Sequence, residues 1–229
     1  MTSITLAGLP AQDAIVQAVG SIVVGTAVNM GLQRFFAGQR EIDGCPLWNY
    51  FAAMIFQAVI FPGLLYLSVS EYPSWDAHAA GTWADCGDGC YMRVLHVVML
   101  GYLAKDMLYC TVLQQIHHVA GLIITSAFMY AGSGAHGYMT GCIVLETANF
   151  FYNYSSVGSQ RTRTWYAVAI AAFTAAHVVG LSIVFRFVVQ SGKSTSPGHW
   201  FVLVASLGLC AMRQREVHAR WSSFKAKKK

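Results

Sequence analysis

Charged residues are scarce in this sequence. They account for 11% of its 229 residues, whereas hydrophobic residues account for 55%. A soluble globular domain usually carries about 25% charged residues, so the composition argues against a largely water-exposed surface. Long apolar stretches remain between the charges, and each is long enough to cross roughly 30 Å of hydrocarbon. The composition therefore predicts one membrane domain and no separate soluble domain.

The signals of several other protein classes are also missing. The net charge of +5 comes with no nucleic-acid motif and no basic surface that alternates with aromatics, so nucleic acid is not an expected partner. The N-terminus has no basic n-region and no small-residue cleavage site, which predicts that the first hydrophobic segment stays as a signal anchor. The sequence has only five prolines, and it lacks the two proline-broken parallel repeats of a seven-helix sugar transporter.

The apolar stretches predict an all-α polytopic membrane protein with about seven transmembrane helices. The predicted spans run from about Ala14 to Phe36, Trp48 to Val69, Met92 to Val112, Gln114 to Ala131, His136 to Ser155, Thr164 to Val189 and His199 to Met212.

The positions of Lys and Arg predict the orientation of these spans. The loop from Ser70 to Tyr91 contains acidic residues and neither Lys nor Arg, which is typical of the lumenal side. With seven spans, the following basic residues fall together on the other side: Arg34, Arg40, Arg161, Arg163, Arg213, Arg215, Arg220, Lys225, Lys227, Lys228 and Lys229. We therefore predict a lumenal N-terminus and a cytosolic C-terminus.

Two short signals bear on the compartment. Lys225 and Lys227 have the spacing of a di-lysine retrieval signal for the endoplasmic reticulum; alternatively, the basic tail only sets the topology and contacts anionic lipid. Cys86 and Cys90 lie in the polar loop, where a disulfide could form if that loop is lumenal.

Polar residues inside the spans point to a pocket. An ionisable side chain in hydrocarbon costs roughly 2.5 to 3.5 kcal/mol, so it normally faces the bundle interior. Two helical stripes and one histidine pair are expected to converge toward the cytosolic leaflet. They are Tyr102, Asp106 and Tyr109 on the third span, His117 and His118 on the fourth, and Glu146, Asn149 and Asn153 on the fifth.

These residue types suit acyl transfer. A neutral histidine is the usual general base near pH 7, and Asp106 or Glu146 could hold its tautomer. Such a base would take a proton from an amine or hydroxyl that attacks a thioester, or the histidine could itself be the nucleophile. Because neighbouring side chains point about 100° apart on a helix, at most one of His117 and His118 is expected to be catalytic. Alternatively, the polar residues only hold the helices together.

Metal chemistry is the weaker prediction. The segment QQIHH is the only histidine cluster, and adjacent histidines on a helix chelate poorly. We therefore predict no metal and no cofactor besides acyl-CoA as a co-substrate. Tyr102, Lys105, Tyr109, Asn149 and Asn153 are the predicted substrate-binding residues.

Four segments resemble the TLC-domain family, the relatives of ceramide synthases. GYLAKDMLY (Gly101 to Tyr109) is followed by HHVAGL (His117 to Leu122) and LETANFFYN (Leu145 to Asn153), in the order of that family's motifs. WNYFAAMIFQAV (Trp48 to Val59) is similar to its first core helix. The resemblance covers roughly residues 48–221 and implies six core helices around a lipid-accessible cavity.

The resemblance implies a role in lipid metabolism or lipid homeostasis, in the endoplasmic reticulum or a neighbouring organelle. His117 and His118 take the place of the ceramide synthases' histidine pair. The chain departs from those enzymes at Glu146 to Asn149, where it lacks their pair of aspartates, and it looks closer to the short non-synthase members. The predicted domains are 1–47 (lumenal segment, first helix and cytosolic loop), 48–221 (TLC-like) and 222–229 (basic cytosolic tail).

Three function classes remain open at this point. The first is a lipid protein that is either an acyltransferase or a non-catalytic lipid-binding regulator, with membrane lipids as partners. The second is a seven-helix receptor, although the seventh span contains no Lys for a retinal Schiff base. The third is a structural subunit of a membrane complex or a homo-oligomer, since 21 glycines would serve helix packing equally well.

Overall fold

The chain is mostly helical. The computed structural model describes residues 5–6, 9–36, 38, 41–42, 45–86, 89–107, 112–129, 134–157, 162–190 and 197–226. Two antiparallel ladders of two-residue strands precede the second helix: β1 (Thr5–Leu6) pairs with β2 (Leu9–Pro10), and β3 (Glu41–Ile42) pairs with β4 (Cys45–Pro46). The helices are α1 (Ala11–Phe35), α2 (Leu47–Ile55), α3 (Phe61–Ser70), α4 (Trp75–Ala80), α5 (Tyr91–Asp106), α6 (Val112–Met129), α7 (Ala135–Ser156), α8 (Arg163–Gln190) and α9 (Pro197–Ala226).

The all-α prediction is confirmed, and each predicted span overlaps a helix. Helices α2 and α3 together cover the second predicted span, and α1 and α5 to α9 cover the others. Within the described residues, three stretches are both long and apolar enough to cross a membrane: Val16–Phe35, Leu47–Ser70 and Arg163–Phe187.

Apolar side chains lie on the outside of the bundle and polar side chains lie inside it. Val59 is 65% exposed and Phe201 is 66% exposed, whereas Lys105 is 2% exposed and Gln57 1%. A water-soluble protein rarely exposes apolar side chains over a large continuous area. This distribution suits a protein whose outer surface meets hydrocarbon and whose polar side chains turn inward.

Glycines bring two pairs of helices into close contact. A Cβ on Gly25 of α1 would overlap the carbonyl oxygen of Gly101 on α5. A Cβ on Gly180 of α8 would lie 3.1 Å from the carbonyl oxygen of Gly141 on α7. Small residues allow such backbone contact, which is a common way of packing helices in membranes.

A π-helical segment joins α2 to α3. It spans Phe56–Ile60, so the helix continues without a break but changes its hydrogen-bonding pattern for one turn. Pro62, the second residue of α3, has no backbone N–H to donate to the preceding turn. The wider turn brings Gln57 to the bundle interior, and π-helical turns often occur at functional sites.

Helix α9 extends beyond the predicted seventh span. The apolar run ends near Met212, but the helix continues to Ala226 because the charged residues that follow are good helix formers. Its buried face contains Leu203, Ser206, Cys210 and Val217. These positions are three, four and seven residues apart, so one stripe of α9 stays inside the bundle past the end of the apolar run.

The loop between α3 and α5 contains a disulfide just before α5. Cys86 and Cys90 are bonded, which answers the question that the sequence left open. Within the same loop, Ser74 caps α4 by accepting a hydrogen bond from the amide of Ala77 at 3.2 Å.

Candidate functional site

A polar cavity of about 110 Å³ lies inside the bundle. Its walls come from α2, the π-helical segment, and helices α5 to α9, so residues far apart in sequence meet there. The lining residues are Cys45, Asn49, Tyr50, Ala53, Gln57, Tyr102, His117, His118, Glu146, Asn149, Tyr152, Asn153, Phe173, Leu209, Met212, Arg213, Glu216 and Val217.

Glu146, Arg213 and His117 form the centre of this cavity. Arg213 Nη2 donates a hydrogen bond to Glu146 Oε1 and another to His117 Nε2. Glu146 Oε1 also lies 3.6 Å from His117 Nε2, and its other oxygen accepts a hydrogen bond from Asn149 at 2.7 Å. The Glu146 and Arg213 side chains are only 10% and 14% exposed. Their opposite charges compensate each other, which makes burial of both groups tolerable.

The bond from Arg213 determines the tautomer of His117. Because His117 Nε2 accepts, the proton of the neutral imidazole lies on Nδ1. That Nδ1 atom is buried, and among the described residues it has no hydrogen-bond partner. A buried donor without a partner costs free energy, so a ligand that accepted a hydrogen bond from Nδ1 would be stabilised there.

A second chain of hydrogen bonds runs along the wall of the cavity. Asn153 Nδ2 donates to Gln57 Oε1 at 3.0 Å, and Gln57 Nε2 donates to Tyr102 Oη at 2.8 Å. The chain therefore connects α7, the π-helical segment and α5. It holds three polar side chains of the cavity wall in fixed positions relative to one another.

A third group closes the cavity near the end of α9. Tyr152 Oη donates to Glu216 Oε1 at 2.7 Å, and Arg220 donates to the same oxygen at 3.1 Å. The guanidinium of Arg220 also lies 4.5 Å from the ring centre of Tyr152. This arrangement fixes α9 against α7 beside the central cluster.

Most of the predicted site residues meet at this cavity. Both histidines, Glu146, Tyr102, Asn149 and Asn153 line it, and the two imidazole rings lie 5.3 Å apart. Lys105 does not line it: its ammonium donates to Asn49 Oδ1 at 2.8 Å, and Asn49 lines the cavity instead. The Asp106 side chain and Tyr109 lie outside the described residues.

Sequence reasoning missed Arg213, which it assigned to the cytosolic tail. The signal was the buried stripe of α9. Arg213 lies three residues after Cys210 and four before Val217, so it continues the stripe of buried positions. Gln57 and Tyr152 were also missed, because an amide or a phenol in an apolar run gives no pattern of its own.

A second polar cluster lies at the other end of α7. His136 Nδ1 pairs with Tyr72 Oη at 3.1 Å, and His136 Nε2 lies 3.6 Å from Cys86 Sγ. His78 lies beside it, with Nε2 3.1 Å from Thr140 Oγ1, and burial lowers the pKa of His78 to about 4. Within the part of the chain that the structure describes, no group of His, Cys, Asp or Glu has the arrangement of a metal site.

The fold and the cavity together define a class: an α-helical protein with an apolar exterior and a buried polar cavity that holds a carboxylate, a guanidinium and two imidazoles. Among the residues that the structure describes, three helices are long and apolar enough to cross a membrane. No protein-family model, curated protein or solved structure matches the chain.

Proposed function

We propose that the protein is a polytopic membrane protein of the TLC type that acts on lipids, by acyl transfer from acyl-CoA to a lipid amine or hydroxyl. The observation that carries this proposal is the buried cluster of His117, Glu146 and Arg213 in one polar cavity. It combines a base, a carboxylate that can stabilise the protonated base, and a cation that can stabilise a developing oxyanion.

The proposed topology has seven crossings with a lumenal N-terminus. Disulfides persist in oxidising compartments, so the bonded Cys86 and Cys90 support a lumenal position for the loop between α3 and α5. With that orientation, the cavity residues Asn49 and His117 lie near the starts of α2 and α6, at the cytosolic side. Acyl-CoA is made and used in the cytosol, so this is the side from which a co-substrate would enter.

The reaction proceeds through an exchange of hydrogen bonds at Arg213. The thioester carbonyl takes the N–H that Arg213 now donates to His117, which frees the lone pair on His117 Nε2. The attacking amine or hydroxyl adds to the carbonyl carbon and gives its proton to that nitrogen. Arg213 stabilises the negative oxygen, and Glu146 stabilises the imidazolium.

The second half of the reaction returns the enzyme to its starting state. The oxyanion re-forms the carbonyl and the carbon–sulfur bond breaks, which leaves an acylated lipid. The imidazolium gives its proton to the departing thiolate, so free CoA leaves as a thiol. A volume of about 110 Å³ holds the reacting groups but not a whole lipid, so the acyl chains extend from the cavity toward the bilayer.

The test measures CoA release and lipid binding separately. Purified protein is mixed with a long-chain acyl-CoA and extracted membrane lipids, and released thiol and acylated lipid are quantified. The variant His117→Ala is expected to lower the rate by about 100-fold or more, since general-base catalysis contributes that much. His218→Ala, an exposed histidine of α9, is the control and is expected to keep the rate. Absence of CoA release with every lipid would reject the catalytic step.

A non-catalytic lipid-binding role is the second candidate. The observation that favours it is a chain of two hydrogen bonds, of 2.8 Å and 3.0 Å, that joins Tyr102, Gln57 and Asn153. These bonds hold the three side chains in place, as in a rigid recognition surface. In that case, lipid stays bound after purification and is identified by mass spectrometry, while thiol release is absent and the His117→Ala variant changes only the affinity.

A further inference from the structure

A second and larger cavity lies away from the first. It has a volume of about 760 Å³, within the range of small-molecule binding sites. It lies between α4, the start of α7 and the last part of α8, and it shares no lining residue with the polar cavity. On α7, Gly137 lines the second cavity and Glu146 lines the first, which separates them by about 14 Å along the helix axis.

One side of this second cavity is an apolar wall. Val178, Val179 and Ile183 of α8 line it, and the valines are 62% and 49% exposed. In the proposed topology this wall faces the acyl chains of the lumenal leaflet. An apolar wall of this kind can hold one hydrocarbon chain along α8.

Among the described residues, Arg186 and Asp76 are the charged residues that line the cavity. Arg186 Nη2 donates to Asp76 Oδ1 at 2.9 Å, and the two side chains are 51% and 77% exposed. Trp75, the neighbour of Asp76 at the start of α4, also lines the cavity. An exposed ion pair contributes little to stability. Each of the two side chains can therefore leave its partner and bind a charged group of a ligand at a small cost in free energy.

We propose that this cavity binds one zwitterionic phospholipid of the lumenal leaflet. Arg186 donates to the phosphate, as guanidinium groups do in bidentate form. Asp76 faces the ammonium or choline group, and the Trp75 ring adds a cation–π contact to the same group. One acyl chain lies against Val178, Val179 and Ile183.

The charge pattern selects this ligand over other lipids. An anionic phospholipid such as phosphatidylglycerol also has a phosphate for Arg186, but its headgroup offers no cation to Asp76, so the carboxylate would repel it. A sterol would fill the apolar part and leave both charges unused. The proposal needs the bilayer topology given above but not the acyl-transfer reaction, so it goes beyond the proposed function.

Native mass spectrometry of the full chain in mixed micelles tests the proposal. The probes are phosphatidylcholine and phosphatidylglycerol with the same acyl chains. The unmodified protein is expected to retain phosphatidylcholine about tenfold better, because one charge-assisted contact differs between the two lipids. Asp76→Asn is expected to remove that preference, and Arg186→Ala is expected to weaken retention of both lipids.

Matched variants make the outcome decisive. Val179→Trp fills the cavity and is expected to abolish retention, whereas Arg215→Ala removes an exposed cation of α9 outside both cavities and is expected to change nothing. His117→Ala should keep phosphatidylcholine bound even where CoA release is lost, so the two proposals fail independently. Equal retention of the two lipids, or retention that survives Val179→Trp, would overturn the proposal.

Discussion

Arg213 lies just beyond the apolar part of α9, yet its side chain enters the polar cavity and meets Glu146. Taking two charges out of water is costly, and their mutual attraction roughly offsets that cost only while both are present. Removal of one partner leaves the other charge buried without compensation. The pair should therefore behave as a unit in any measurement of stability.

We expect Glu146→Gln and Arg213→Met each to lower the free energy of unfolding by about 3 to 5 kcal/mol, because each leaves an uncompensated buried charge. The double variant should lose much less than the sum of the two single losses. Denaturant unfolding in detergent micelles measures all three. The control is Asp76→Asn, which removes the exposed partner of Arg186 and is expected to cost about 1 kcal/mol or less. Additive losses in the double variant would show that the two side chains are not coupled.

Some residues of the polar cavity could be predicted from the sequence. Sequence reasoning selected Glu146, Asn149 and Asn153 because their spacing places them on one face of a helix, and all three line the cavity. It could not find Arg213, because a basic residue after an apolar run is usually a cytosolic anchor. Only the stripe of buried positions on α9 distinguishes a cavity residue from a cytosolic anchor. That stripe is known only from the packing of the helices in the structure.

At the scale of elements, α1 belongs to the same bundle as the helices that follow it. The sequence placed this helix in a separate segment, residues 1–47, because the resemblance begins later. The contact between Gly25 and Gly101 packs α1 against α5, and Asn29 donates to the backbone carbonyl of Lys105. The division at residue 47 stays a prediction. The π-helical segment was hidden from the sequence, since Pro62 signals a local change in hydrogen bonding without specifying its form.

We predict that Gly25→Leu separates α1 from α5, because a Cβ there would overlap the carbonyl oxygen of Gly101. Overpacking of a tight contact usually costs about 1 to 3 kcal/mol. Gly20→Leu is the matched control on the same helix, since a Cβ at Gly20 would meet nothing within 4 Å. Thermal unfolding in micelles should show a lower midpoint for the first variant alone. Equal midpoints for the two variants would mean that α1 does not depend on this contact.

At the scale of the whole molecule, the two cavities lie at opposite ends of the same bundle. The polar cavity collects residues near the starts of α2 and α6 and the later part of α9, whereas the larger cavity collects residues near the start of α7 and the end of α8. Because neighbouring helices run in alternating directions, the starts of α2 and α6 lie at one end of the bundle, and the start of α7 and the end of α8 lie at the other. Both proposals therefore depend on how many helices cross the bilayer.

Cysteine labelling in sealed microsomes tests that count, with Glu71→Cys, Thr162→Cys and Arg215→Cys made one at a time and treated with a membrane-impermeant maleimide. All three positions are exposed. With seven crossings, positions 162 and 215 lie in the cytosol and react before detergent is added, whereas position 71 is lumenal and reacts only afterwards. The unmodified protein is the control for labelling of the native thiols: among the described free cysteines, Cys45 and Cys210 are buried and Cys142 is partly buried. If only the three most apolar stretches crossed, positions 71 and 162 would react together and position 215 from the other side, because a single crossing, α8, would then separate them.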